Sequence, residues 1–173
     1  MNDFIKVLTS RRSCKSFDPT KKVDEKLLDE IMLCGTYAPT GKGMQAPTIV
    51  CVQDEPTIKL LSKINADVLG VKYDPFYGAT AVLVVFSDSD YFTYLEDGAL
   101  VLGNMLNAAH SLGLGACWIH RAKQMFETKE GRALKTKWGL KDSLVGIGNC
   151  VLGYRLNQPT PAKPRKPDYI IKV

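Results

Sequence analysis

The chain has 173 residues, 45% of them hydrophobic and 24% charged, enough for one packed core and too apolar for a disordered segment. A net charge of +5 and a pI near 8.9 suit an anionic small ligand, while no aromatic-interleaved basic stripe or zinc-finger spacing supports nucleic acid. Five cysteines (Cys14, Cys34, Cys51, Cys117, Cys150) lie far apart without a CxxC pair, which fits reduced thiols in a cytosolic protein.

Asp3 is placed to cap a short first helix carrying Phe4, Ile5 and Leu8, which ends before Arg11-Arg12. Asp24 caps the next helix, where Leu27, Leu28, Ile31 and Met32 keep helical spacing and Gly35 is expected to stop it. Residues 38–47 contain two Pro and two Gly and read as a loop. Thr48 to Gln53 is β-rich, and Pro56 opens a helix with Ile58, Leu61 and Ile64 on one side. A turn at Asp74-Pro75-Phe76-Tyr77-Gly78 leads to a fully apolar strand over Thr80 to Ser87.

Glu96-Asp97 places negative charge at the start of a long helix, favourable against its dipole, and Leu100, Leu102, Met105, Leu106, Ala109 and Leu112 make it apolar nearly all round. Gly113 ends that helix, and strands follow at Gly115 to Ile119 and Leu144 to Leu152, with a helix near 129–138 between them. After Gly153 the tail carries Pro159, Pro161, Pro164 and Pro167 and closes on Tyr169-Ile170-Ile171-Lys172-Val173, an extended arm in need of a partner surface. The helices and strands interleave without strict βαβ repetition, so the expected class is α+β with a central sheet, in a single unit over 1–173. The first ten residues lack a secretory apolar run, and the run near Thr80 to Phe86 is too short for a bilayer. The expectation is a soluble, cytoplasmic protein without membrane or nucleic-acid partners.

Metal and nucleophile templates fail. His110 and His120 sit in no ligand cluster, no GxSxG elbow occurs, and Gly113-Leu114-Gly115 follows a helix rather than a strand, so no metal is expected. His110 reads as a satisfied core residue, and His120, ending a strand beside Arg121, is the better site candidate. Two basic clusters remain, Arg11-Arg12-Ser13-Cys14-Lys15-Ser16-Phe17 and Lys163-Pro164-Arg165-Lys166-Pro167. Arg offers a planar fork of donors, Lys a compact charge and Ser a hydroxyl, the groups that replace water around a phosphate. Together they suggest an anion cradle built from both ends of the chain.

Four segments, in order, carry a resemblance to the nitroreductase family of FMN-dependent oxidoreductases. The first cluster is similar to the family's opening RRSxRxF motif, and Ala38-Pro39-Thr40 through Gln45 to its AP(S/T)xxNxQPW loop. Glu96-Asp97-Gly98-Ala99 through Trp118-Ile119 resembles its ED-(G/A)-A…LGLGxxWI stretch, and the second cluster its closing KPR motif. Gly43 stands where many members carry Asn, and Ala46-Pro47 replaces Pro-Trp.

The resemblance implies a nitroreductase-like central mixed sheet flanked by helices, in an intertwined homodimer with exchanged C-terminal arms and FMN at the interface. It implies that Arg11, Arg12, Ser13, Lys163 and Arg165 hold the phosphate and ribityl chain, and that Lys15 meets the pyrimidine edge. Pro39, Thr40, Gly41 and Gln45 would come from the other subunit, Ile119 and the backbone N–H of His120 would approach the ring, and Asn65 would add a polar contact. The implied activity passes electrons from NADH or NADPH through FMN to a small electron-poor acceptor such as a nitroaromatic or quinone, in two half-reactions. Reductive dehalogenation, ene reduction, flavin breakdown and a non-catalytic flavin-binding role stay open as alternatives.

Overall fold

A computed structural model describes residues 1–173. Four strands, β1 (Pro47–Val52), β2 (Ala81–Asp88), β3 (Gly115–Ile119) and β4 (Leu144–Gly153), form one sheet in the order β1-β2-β4-β3. Six helices surround it: α1 (Asp3–Ser10), α2 (Glu25–Thr36), α3 (Glu55–Leu69), α4 (Tyr94–Ser111), α5 (Ala122–Glu127) and α6 (Lys129–Lys137). All three strand pairs are antiparallel. Of the mixed character expected for the sheet, only one parallel contact exists, the isolated bridge between Ser13 and Ala116 at the outer edge of β3.

The side-chain period of two divides the core between the two faces of the sheet. From β2, Val82, Val84 and Phe86 join Ile58, Leu61, Ile64, Phe76 and Met125 beneath α3, α5 and α6. The alternate residues Ala81, Leu83 and Val85 join Leu28, Ile31, Leu102, Met105 and Ala109 beneath α2 and α4. A strand buried on both faces has no polar alternation, which explains its continuous apolar run.

A register shift between Val85 and Phe86 lets β4 bulge at Ile147. Gly98 of α4 lies against that bulge, where a methyl group would stand 2.6 Å from Ile147 Cγ1. On the neighbouring positions, Gly146 admits the backbone of Ala122 and Gly148 admits the Trp118 indole. The strand's glycines therefore set how closely α4 and the segment after β3 approach it.

Several boundaries differ from the sequence reading for local reasons. The cap of α1 is Asn2, whose side chain accepts from Phe4 N at 2.8 Å, while Asp3 pairs with Lys6. Helix α2 runs through Gly35, because there a side chain would meet Met105 Cγ at 2.9 Å; glycine serves helix packing, not termination. Helix α4 begins at Tyr94, two residues before the acidic pair. Helix α5 was not expected at all. No helix is long and apolar enough to cross a membrane. Residues 156–173 lie exposed along the surface, interrupted by one 3₁₀ turn at Pro167–Tyr169.

Candidate functional site

The two basic clusters meet. Residues 11–16 and 155–165 line a cavity of about 540 Å³ whose walls carry Arg11, Arg12, Lys15, Arg155, Lys163 and Arg165 and no carboxylate. Backbone pairing positions the first wall: Cys14 N donates to Ala116 O at 2.9 Å, and the Ser13 and Phe17 bridges lay the segment between β3 and Arg155. The second wall follows because β4 delivers the tail beside that segment; Leu156 N donates to Ser16 O at 3.2 Å.

None of the six cations forms a salt bridge. Arg12 donates to the carbonyls of Thr9 and Arg11 at 2.9 and 2.7 Å, and Arg165 donates to Lys163 O at 2.8 Å. Six positive charges without a counter-charge suit a polyanion. Arg155, absent from the sequence reading, donates to Arg12 O at 3.2 Å and joins the two walls. Its signal in sequence was slight, a lone Arg two residues after the last strand.

Lys15 also lines a second cavity of about 200 Å³, with Leu69, Tyr73, Pro75, Tyr77, Cys117, Trp118, Ile119, His120 and Arg121. This pocket combines apolar and aromatic walls with a cationic rim. Its floor is held by two fully buried amides. Asn65 donates to His120 O at 2.9 Å and Asn149 donates to Ile119 O at 3.2 Å, so both carbonyls at the end of β3 are fixed. Asn65, expected as a ligand contact, is fully buried; the geometry gives it the work of positioning this turn. A polar residue inside the apolar run of β4 was the available signal for Asn149.

The expected loop residues lie elsewhere in the chain. Thr40 and Gln45 line a separate cavity of about 310 Å³ with Met32, Thr36, Ala38, Pro47, Ile49 and Val101, while Pro39 and Gly41 line neither the basic cavity nor the second, apolar one. The buried carboxylate of Asp97 tethers this loop, accepting from Gly41 N at 3.0 Å and from the Thr93 hydroxyl at 3.1 Å. A side chain at Gly41 would displace Thr93, since a methyl group there would stand 2.1 Å from Thr93 Oγ1. Lys42 and Gln45 both take left-handed backbone conformations, with φ of 52° and 51°.

His110 is half-buried rather than part of the core, and its Nε2 lies 2.8 Å from Ser10 Oγ at the end of α1. Burial holds its pKa below the ordinary range, and Arg155, Arg11 and Arg12 lower it further. Two buried thiols, Cys14 and Cys117, lie in the core beneath the first basic segment, and Cys150 lies on the opposite face of the sheet. Burial pushes Cys117 up and Cys150 up to about 12, so neither is poised as a nucleophile.

A sequence model of the nitroreductase family matches residues 8–71 and 68–154. A candidate NAD(P)H nitroreductase of Bacillus subtilis is 30% identical over 125 residues, covering 70% of this chain and 58% of that protein, so the chain spans little more than half of that relative. A candidate NADH dehydrogenase/NAD(P)H nitroreductase of Archaeoglobus fulgidus is 25% identical over 162 residues, 89% of this chain and 86% of that one. Among solved structures, a Bacteroides fragilis nitroreductase with bound FMN superposes with a TM-score of 0.91 at 24% identity, each chain covered in full. A Desulfitobacterium hafniense nitroreductase with bound FMN follows at 0.87 and 24%, covering 100% of this chain and 99% of that one.

Proposed function

Because the chain belongs to the nitroreductase family, we propose that it is an oxidoreductase that uses bound FMN to pass electrons from NADH or NADPH to a small electron-poor acceptor. The observation that carries this reading is the carboxylate-free cradle of six cations without a salt bridge, which shares Lys15 with an apolar, aromatic-walled pocket. FMN has that polarity, a dianionic phosphate at one end and a flat ring at the other. Its presence in the Bacteroides and Desulfitobacterium structures gives the same answer by likeness.

In this reading Arg11, Arg12, Ser13, Arg155, Lys163 and Arg165 bind the phosphate and ribityl chain, replacing its water shell with charge-assisted hydrogen bonds. Bound FMN would supply hydride acceptance from nicotinamide and two-electron delivery to the acceptor. Lys15 holds a cation at the junction, where it favours negative charge on the pyrimidine edge. Asn65 and Asn149 keep the turn at Ile119 and His120 rigid, so that the His120 N–H is presented in one orientation. In this reading Pro39, Thr40, Gly41 and Gln45, which line neither the cradle nor the pocket beside it, come from a second copy, and the working unit is a homodimer of single-unit chains.

A cytoplasmic location fits the reduced thiols. Quinones and nitroaromatics are the acceptor class that suits an open flavin face.

The purified protein is expected to be yellow, to release FMN on heating and to bleach anaerobically with a nicotinamide. Release of stoichiometric FAD, or a colourless protein that takes up no FMN, would overturn the reading.

A further inference from the structure

His110 adjoins the first wall of the basic cradle and has no part in the flavin reading. It sits in the last turn of α4, and its Nε2 is 2.8 Å from the hydroxyl of Ser10, the final residue of α1. The chain runs from Ser10 straight into Arg11 and Arg12, and Arg12 donates back to Thr9 O at 2.9 Å. One hydrogen bond therefore ties His110 to the segment that begins the cradle.

Two influences on His110 oppose each other. The carbonyl end of an 18-residue helix favours an imidazolium. Partial burial and the guanidiniums of Arg155, Arg11 and Arg12 disfavour it, and together they hold the ring neutral near pH 7. Those three arginines are the charged groups that face the ring. On α1 the Asp3 carboxylate pairs with Lys6, and the acidic pair of α4 lies in its first turn, at the far end of the helix. The same three arginines line the cradle.

A dianion seated among them would offset their field at the imidazole and leave the helix end to favour the charge. Ser10 can follow that change without moving. Its hydroxyl also lies 3.5 Å from Val7 O, so it can accept from a protonated Nε2 while turning its own hydrogen to that carbonyl.

We propose that His110 is the proton-accepting member of this anion site, so that a phosphate bound between the two basic segments draws one proton from solvent onto the imidazole. This rests on the reading of the cradle as a phosphate site and adds that binding there is proton-coupled. The coupling is reciprocal: what the phosphate adds to the affinity for the proton, the proton adds to the affinity for the phosphate.

The test is an NMR titration of the imidazole C–H signals in the full chain without ligand, with FMN, with riboflavin and with pyrophosphate. The chain has two histidines, so His110→Gln identifies the signal, as does His120→Gln should the first variant unfold. FMN and pyrophosphate should raise the His110 midpoint by about half a pH unit or more, the scale of one partly screened charge. Riboflavin, which has the ring without the phosphate, should leave it in place. The affinity for FMN should match that of His110→Gln at pH 8 and exceed it by about two- to threefold at pH 5, a ratio from which the titration of the phosphate itself cancels.

A His110 midpoint that bound FMN leaves in place overturns the proposal and leaves the FMN reading standing. An equal rise with riboflavin also overturns it, because the ring and not the phosphate then acts. A rise with pyrophosphate in a protein that takes up no FMN upholds the proton coupling and rejects the flavin. Binding of neither FMN nor pyrophosphate rejects both.

Discussion

Lys15 lines both the basic cradle and the smaller apolar pocket, so its charge bears on both. On the FMN reading, Lys15→Ala should leave the fold intact and move the flavin midpoint to more negative values. Each loss of about 1.4 kcal/mol corresponds to roughly 30 mV for a two-electron couple. A potentiometric titration that returns the unaltered midpoint would remove Lys15 from the ring. Arg11 acts at the other end. It is half-buried and makes no hydrogen bond from its side chain, so Arg11→Ala should weaken FMN binding by about 2–5 kcal/mol, read by fluorescence titration. Arg165, exposed and folded onto Lys163 O, should matter less.

His110 gives a pH signature. Its pKa is depressed in the fold by burial and by Arg155, Arg11 and Arg12, so below the ordinary value of 6.5 the unfolded chain takes up the proton first. Its contribution is therefore full above that value and is lost as pH falls below it. Melting temperatures between pH 8 and 5 should decline less steeply in His110→Gln.

At the scale of elements, the start of α4 and the loop before β1 form one device. Asp97 binds Gly41 N and the Thr93 hydroxyl, and Thr93 in turn occupies the space beside Gly41. Gly41→Ala would displace Thr93 and break both contacts. Overpacking of this kind costs about 1–3 kcal/mol, which urea unfolding would register as a lowered midpoint. Asp24→Ala, which removes the hydrogen bond to Lys26 N at the start of α2, should cost about 1 kcal/mol by the same assay.

These two cases mark what could be read beforehand. The cap at Asp24, the strand at β3 and the buried β2 announce themselves through neighbours in sequence, because capping and periodicity are local. Helix α5 spans six residues, too few for a helical period, and begins at a left-handed Arg121 that no propensity favours. Asp97, Asn149 and Arg155 work on partners 56, 30 and 143 residues away, so only the folded topology gives them a role. The basic clusters were legible because their charge needed a ligand wherever they lay. Gly35 was misread because a glycine that makes room for Met105 looks, in sequence, like one that ends a helix.

At the scale of the molecule, the homodimer reading draws on apolar side chains left uncovered in the single chain. Phe4, Ile5 and Leu8 of α1, Leu95 and Leu100 of α4, Trp118, and Ile170, Ile171 and Val173 of the tail are all exposed. A homodimer that covers them and brings each Thr40–Gln45 loop to the other copy's ring-side pocket is the expected assembly. Sedimentation at low concentration should give a dimer, and truncation after Gly153 should lose both dimer and FMN, because it removes the arm together with Arg155, Lys163 and Arg165. A flavin-loaded monomer would reject the shared site. The thiols beneath the cradle have a further use. Cys14 and Cys117 are buried where the first basic segment meets β3, and burial suppresses the reactive form of Cys117. Alkylation of these two can proceed no faster than the segment peels from the sheet, whereas exposed Cys34 reacts from the folded state. Their labelling rate is thus a clock for opening of the floor on which both chain ends rest, and any anion that ties those ends together should slow it.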